Sequence, residues 1–313
     1  MLSRRPQGPS GRARRGLTLV ELLIVIVLLG IVAGGMMGII VKQQQFYAGS
    51  AGVMDTRANV REGMAVLTSD LRALAPAQND IYAMGRTFIE FRLNQGVAVV
   101  CTLDPTRTVI TVPPTNLAQR NGFTSWISAP QSGDSVLIFD PGPKSGTSDD
   151  SWDPGQLGAA AQPGATCPTT TGLTTLASEQ TNGWQFTLQN ALTSTYVAPG
   201  SAIRVFRRVR YELYQEADGN WYLGYYDCLP GRTPLCQTLQ PVSGPYLPAA
   251  NTGTSGLELS YFDSTGTATT VPTLVRRIRI MLRSQSERIV KTLGRQTGFY
   301  QDSLATSVAV RNF

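Results

Sequence analysis

Twenty-five consecutive residues, LTLVELLIVIVLLGIVAGGMMGIIV (17–41), carry only two polar side chains, Thr18 and Glu21. No other stretch constrains the chain so strongly. A run of this length crosses the hydrocarbon core of a bilayer as a helix. Lipid offers no hydrogen-bond partners, so the backbone must close its own bonds. Whatever follows is therefore carried on a membrane anchor. An ionised carboxylate within such a helix costs about 2.5–3.5 kcal/mol on insertion scales. A residue kept at that cost needs a partner and a task, which makes Glu21 the first candidate site residue. The competing reading is a plain signal anchor whose Glu21 reaches back to the interface.

Charge points the same way. The net charge of +6 suggests a nucleic-acid partner until its location is traced. Arg4, Arg5, Arg12, Arg14 and Arg15 all precede Gly16, with no acid among them. The remaining chain is nearly balanced, so the excess is a topology signal that places the N-terminus in the cytoplasm and sends the rest outward. The chain has no histidine. That removes the commonest general base, the usual zinc ligand and every Ser-His or Cys-His nucleophile pair. No phosphate-binding glycine motif and no nucleophile elbow is present. The expectation is a protein that is not an enzyme, with no cofactor and no metal. The four cysteines, Cys101, Cys167, Cys228 and Cys236, form no CxxC pair. Downstream of a membrane segment their even number suits disulfides in an oxidising compartment. Cys228 and Cys236 flank the loop CLPGRTPLC, which leaves Cys101 with Cys167 by elimination; four unlinked buried thiols are the alternative.

The organisation follows from periodicity. Residues 1–16 read as a leader and 17–75 as one long helix, transmembrane in its first half and amphipathic in its second. Val53, Val60, Met64, Leu67, Leu71 and Leu74 recur at helical spacing, which marks one apolar face. Arg57 interrupts the stripe, Gly49, Gly52 and Gly63 weaken it, and Pro76 ends it. Residues 76–313 read as a β-rich globular domain. Period-two runs place strands at 87–93, 97–103, 107–112, 135–139, 184–189, 203–214, 221–227, 256–263, 273–282 and 304–312, with a hairpin at EADGN. Residues 141–183, rich in Gly, Ser, Thr, Asp and Pro, read as a long surface loop. The expected class is α+β: a long N-terminal helix packed on an antiparallel sheet.

The junction RRGLTLVELL adds chemistry. A secretory signal is cut after its apolar region. Here the one junction that suits a cut, after Gly16, precedes it. Cleavage would remove the arginines, leave the helix on the mature chain and free the amine of Leu17, with Glu21 one turn along. This arrangement resembles the class III leader of type IV prepilins and type II secretion pseudopilins. The resemblance implies that a prepilin peptidase cuts after Gly16 and methylates Leu17. It also implies that Glu21, the family's fifth-position glutamate, meets the terminal amine of a neighbouring subunit during assembly. Gly30, Gly34 and Gly38 form two overlapping GxxxG spacings, read as a helix-packing face or as a segment that unwinds easily in the filament. Ordinary membrane glycine is the third reading. The stretch RANVREGMAVLTSDLRALA (57–75), with Asp70, Leu71 and Arg72, is similar to PilW-type minor pilins and to pseudopilin J, as is the ending that closes in Arg-Asn. Residues 94–250 carry no such resemblance.

Two further clusters deserve a chemical reading. Arg204, Arg208 and Arg210 share one face of their strand, and Arg277, Arg279 and Arg283 share one face of theirs. Were those strands neighbours, six guanidinium groups could grip DNA phosphates; the plainer reading is a solvated face that blocks edge aggregation. Asp149, Asp150 and Asp153 match no EF-hand spacing, and a turn with side-chain hydrogen bonds suits them better. The expected role is a minor pilin in the priming or tip complex of a type IV pilus, supporting assembly, adhesion, motility or DNA uptake. Alternatives are a type II secretion pseudopilin J and a pilus-borne DNA receptor. The expected partners are the peptidase, other minor pilins and the major pilin, with the inner membrane before assembly and the periplasm and cell-surface pilus after it. Gly16→Ala is expected to leave the precursor uncut; mass spectrometry of the purified chain would show the intact N-terminus, and normal maturation would contradict the leader reading.

Overall fold

The computed structural model of the protein describes residues 18–117, 122–144, 146–231, 233–290 and 298–311. Helix α1 (Leu19–Arg72) opens the chain. The strands that follow are β1 (Ile81–Met84), β2 (Phe88–Val99), β3 (Thr102–Leu103), β4 (Val109–Val112) and β5 (Ser125–Trp126). Next come β6 (Ser135–Asp140), β7 (Ser151–Gln156), β8 (Gln162–Ala165), β9 (Gly183–Thr187) and β10 (Ala202–Gln215). The chain closes with β11 (Trp221–Cys228), β12 (Cys236–Tyr246), β13 (Leu257–Phe262), β14 (Arg277–Val290) and β15 (Gly298–Ala309). The architecture is α+β: a long apolar-headed helix packed on a large antiparallel sheet.

The main sheet runs β1-β2-β10-β11-β12-β14-β13, with β15 on the far side of β14 and the β6–β7 hairpin beside β10. Strands β3, β4, β9 and β8 form a second sheet. The second half of α1 lies on the main sheet because its apolar stripe matches the inward face. Val60, Met64, Leu67 and Leu71 are buried with Tyr246, Ile278, Ile280, Leu282 and Val308 in one core. Each such leucine contributes about 1.5–3 kcal/mol by leaving water. A second core joins β2, β4, β6, β9 and the start of β10 through Val100, Ile110, Val136, Ile138, Phe186, Ile203 and Val205. The segment without a family resemblance therefore has its own packing.

One glycine on α1 has a second role that the helical periodicity does not show. Gly63 does not merely weaken the helix; it lets the helix approach β12. A Cβ there would overlap Tyr246 Oη and Ser243 Oγ. Those two hydroxyls bond each other at 2.6 Å, and Tyr246 donates to Asn59 O at 2.8 Å. The helix ends at Arg72, before the expected 75. Asp80 accepts the Ala75 N–H at 2.8 Å, and Leu74 O accepts the Arg311 N–H, so these groups leave the helical ladder. Pro76 opens a 3₁₀ turn rather than closing the helix itself. One turn back, Asp70 accepts the Tyr211 hydroxyl at 2.7 Å. Burial raises the Asp70 pKa, and the tyrosine bond opposes that only in part.

Several expectations need correction. The runs 87–93 and 97–103 belong mostly to one strand, β2, broken by a bulge: Val205 faces Gly96 while Phe206 faces Asn94. The stretch 141–183 is not a plain loop, since it holds β7 and β8. Proline disguised β7, which tolerates Pro154 as the outer strand of its hairpin. Strand β12 was missed for the same reason: Pro241 sits opposite Gly224, where the register shifts. The closing strands also differ from expectation. Pro272–Leu274 is a 3₁₀ turn, β14 runs on to Val290, and β15 begins as early as Gly298.

Three substitutions test this packing. Gly63→Leu should destabilise the chain by about 1–3 kcal/mol or more through overpacking. Gly52→Ala, whose Cβ would meet Val290 Cγ2 at an ordinary 3.5 Å, should gain up to about 1 kcal/mol from helix propensity. Denaturant unfolding in detergent would read both. Asp70→Asn keeps an acceptor for Tyr211 but removes the titration. Because the folded-state pKa is raised, the native chain binds the extra proton and its stability falls as pH rises through that value. The melting temperature of the variant relative to the native chain should therefore rise as pH increases from the ordinary carboxylate value of 3.8 upward; a constant offset would contradict the assignment.

Candidate functional site

Among the described residues, nothing packs on the first half of α1. Its large side chains from Leu19 to Val41 are each 45–77 % exposed, and the helix is apolar enough to cross a membrane. At its start Thr18 and Glu21 close a capping box. Thr18 N–H donates to Glu21 Oε2 at 3.0 Å and its hydroxyl donates to the same oxygen at 3.2 Å. Glu21 N–H donates back to Thr18 Oγ1 at 3.3 Å. The carboxylate thus satisfies an orphan donor at the positive end of the helix dipole. Its Oε1 atom takes part in none of these bonds. Gly16 and Leu17 lie outside the described residues. Gly30, Gly34 and Gly38 have nothing within 4 Å of where a Cβ would stand, so this face is open along its length.

The second half of α1 fastens that exposed segment to the body. Asp70, Leu71 and Arg72 divide the work: Asp70 bonds Tyr211, Leu71 is fully buried, and Arg72 stays exposed. Tyr211 stacks on Phe91 and meets Tyr225 edge-on. Burial first, then the charge and hydrogen bond of Asp70, raise the Tyr211 pKa, so it remains a neutral donor.

The sequence reading overlooked Arg207. It lies on the inward face of β10 at 4 % exposure. Its Nε and Nη2 grip both oxygens of buried Asp134 at 2.9 and 2.8 Å, and Asp227 lies 3.9 Å from its Nη1. Ser128 Oγ and Ala129 O accept its remaining donors at 3.3 Å. Burial opposes the charge, but the hydrogen bonds of Asp134 and the charges of Asp134 and Asp227 raise the arginine pKa. The pair ties the β6 side of the sheet to β10 and β11. The parity of β10 was the available signal: Ile203, Val205, Val209 and Tyr211 alternate inward, and Arg207 falls among them.

The six outward arginines do not form one surface. Strands β11 and β12 stand between β10 and β14, which removes the adjacency on which the DNA reading depended. Most of the six are already engaged. Arg204 lies over Trp152 at 4.4 Å, Arg208 over Tyr82 at 4.4 Å, Arg210 over Phe88 at 4.2 Å and Arg277 over Phe262 at 4.6 Å. Arg208 also pairs with Glu90, Arg210 with Glu212 and Arg283 with Glu258. Among the described residues Arg279 is exposed and makes no ion pair.

Nor do the acidic residues of 149–153 converge. Asp153 is buried and accepts from Thr193 Oγ1 and Ser194 N at 2.8 and 2.9 Å, whereas Asp149 accepts from Lys144 N at 2.9 Å. Among the described residues, one trio of metal-ligating side chains lies within 4.8 Å, Glu90 with Cys228 and Cys236. Those two sulfurs are bonded to each other, as are those of Cys101 and Cys167.

With this geometry in hand, the comparisons with known proteins bear on the exposed end of α1. No curated protein and no solved structure matches the chain. Residues 11–37 match the prokaryotic N-terminal methylation motif, so the lone carboxylate and the open glycine face both lie in or beside the segment that carries the N-terminal signature of type IV prepilin-like proteins.

Proposed function

We propose that the chain is a minor pilin of the PilW type, carried into the priming or tip complex of a type IV pilus. One observation carries this reading. In an exposed apolar helix the single ionisable group before Lys42 is Glu21, and its partner is its own cap, Thr18. A carboxylate so placed is costly in lipid. A cationic partner that arrives as the helix enters a protein bundle offsets that cost.

In this reading the peptidase removes residues 1–16, and Leu17 becomes the methylated terminus. The amine of Leu17 on one subunit then pairs with Glu21 of the next. A buried ion pair of this kind favours one axial register, because every other register leaves two charges unpaired. The N-terminus lies on the cytoplasmic side before assembly, and the sheet-bearing body lies in the periplasm. The two disulfides suit that oxidising compartment. The filament role also accounts for the division of α1 into a free half and a fastened half.

Mass spectrometry should find a mature chain that begins at N-methylated Leu17. Glu21→Ala should be cut and methylated normally, yet its amount in sheared filaments should fall at least about tenfold, since the neighbour's charge is left without its partner. Equal incorporation, or a purified chain that still starts at Met1, would overturn the proposal.

A further inference from the structure

We propose that the free edge of β15, together with the face of α1 beside it, is a strand-addition site for an extended, carboxylate-bearing segment of a different protein. The edge is defined by the hydrogen-bond alternation. Arg283 uses both its N–H and its C=O on the β12–β13 side, with Gly256 and Leu247. Its cross-strand partner on β15 is Ser303. In an antiparallel ladder a residue's two main-chain groups point to the same side, and the side alternates along the strand. Ser303, Ala305, Ser307 and Ala309 therefore direct their main-chain groups away from β14. Ser303 N–H bonds Asp302 Oδ1. Among the described residues nothing bonds the N–H groups of Ala305, Ser307 and Ala309.

This edge lacks the usual guards. Natural sheets protect an open edge with lysine, proline, a bulge or a short strand. Residues 303–309, SLATSVA, contain no charge and no proline. Their pairing with β14 runs without a register shift from Gln301 to Ala309. The one nearby acid, Asp302, is paired with Arg57 at 3.4 Å.

A groove of about 330 Å³ runs beside the edge, between Leu304–Val308 on the strand and Arg61, Ala65, Thr68 and Arg72 on the helix. Edge strand and parallel helix together make the geometry in which main-chain bonds hold an added strand while alternate side chains enter a groove. Ala65 and Thr68 leave room at the centre. Arg61 and Arg72 stand at the two ends, exposed and without an ion pair among the described residues. They stand eleven helical positions apart, about 16 Å, or roughly five residues of extended chain at about 3.3 Å each. Side chains on one face of a strand recur every two residues, so carboxylates four positions apart, met by flexible arginines, complement the groove.

Direction argues against a second copy as occupant. β15 runs beside α1 in the same sense: Asp302 pairs with Arg57, and Arg311 N–H bonds Leu74 O. An antiparallel pair of β15 strands would point the two anchors in opposite directions. This step rests on the membrane-anchored reading above; the site itself does not.

The test uses the full chain purified in detergent and a fluorescent nine-residue peptide that alternates valine and threonine, with glutamates four positions apart. Saturable binding is expected. Lysines in place of the glutamates should weaken it at least about tenfold, and the Arg61→Glu, Arg72→Glu double variant should reverse that preference. Methylating alternate backbone nitrogens of the peptide should abolish binding in one phase and spare it in the other, a readout that leaves the protein unaltered. Ala305→Pro, tolerated where an N–H faces solvent, should block the peptide without lowering the melting temperature. No binding, binding indifferent to both methylation phases, or a preference that ignores the charge swap would each overturn the proposal. So would a dimer of the chain that Ala305→Pro dissociates, because the occupant would then be a second copy. None of these outcomes depends on cleavage at Gly16 or on Glu21.

Discussion

A single unbroken helix has to satisfy two different solvents, and the remainder of the structure follows from that. From Leu19 to Val41 every position but Glu21 suits lipid, and among the described residues nothing packs on this span. From Thr56 onward the same helix presents a narrow buried stripe to the sheet. Nothing between the two halves breaks the ladder, and the seam between helix and sheet is built for close approach rather than for bulk. Gly63 admits the Tyr246 hydroxyl, and the bond from Tyr246 to Asn59 O fixes the helix against sliding. A larger residue at Gly63 would add apolar area and lose that lock.

Buried polar groups supply a second layer of specificity. Apolar packing alone tolerates many small shifts of a helix over a sheet. The Tyr211–Asp70 bond and the Arg207–Asp134 pair do not, because each shift would leave a donor or a charge unsatisfied in a dry environment. The two devices stand on the same strand, β10, and face the same side. One fixes the helix end to the sheet, and the other fixes to it the lobe built from the second sheet and the β6–β7 hairpin. The disulfide Cys101–Cys167 closes a loop within that lobe, 66 residues apart, which on loop entropy alone restrains the unfolded chain by roughly 4 kcal/mol. The lobe thus carries its own constraints and does not draw on the helix for order.

What the sequence revealed and what it hid divide by locality. The apolar run and the methylation motif that overlaps it are contiguous in sequence, so a single window shows them. The stripe Val60, Met64, Leu67, Leu71 was legible because helical periodicity is also local. The inward face of β10 was legible by parity, and the same parity marked Arg207 as inward; what could not be read was its partner, since Asp134 and Asp227 arrive from strands far along the chain. The arginine surface failed for a related reason. It required the strand order of a sheet, which no spacing encodes, and β11 and β12 intervene. Strands β7 and β12 were hidden by prolines that sit at an outer strand and at a register shift, where the lost N–H matters little.

The two margins of the main sheet are treated differently, and this asymmetry links fold to function. On one side the sheet curls until β13 meets the turn between β1 and β2. Leu259 N–H bonds Arg86 O at 2.7 Å, and the Tyr261 hydroxyl reaches Gly85 O at 3.0 Å. Arg86 adds an ion pair to Glu258 at 3.1 Å. That margin is closed by main chain, side chain and charge together. On the other side β15 has one neighbour strand, an uncharged run and a helix face whose two arginines make no ion pair among the described residues. A chain that needed only to stay monomeric would protect both margins, since an open edge invites pairing with any exposed strand. Protection of one margin alone suits the two proposals made above, in which the chain would meet its neighbours through two separate contacts: the apolar helix that carries Glu21, and the open strand flanked by Arg61 and Arg72.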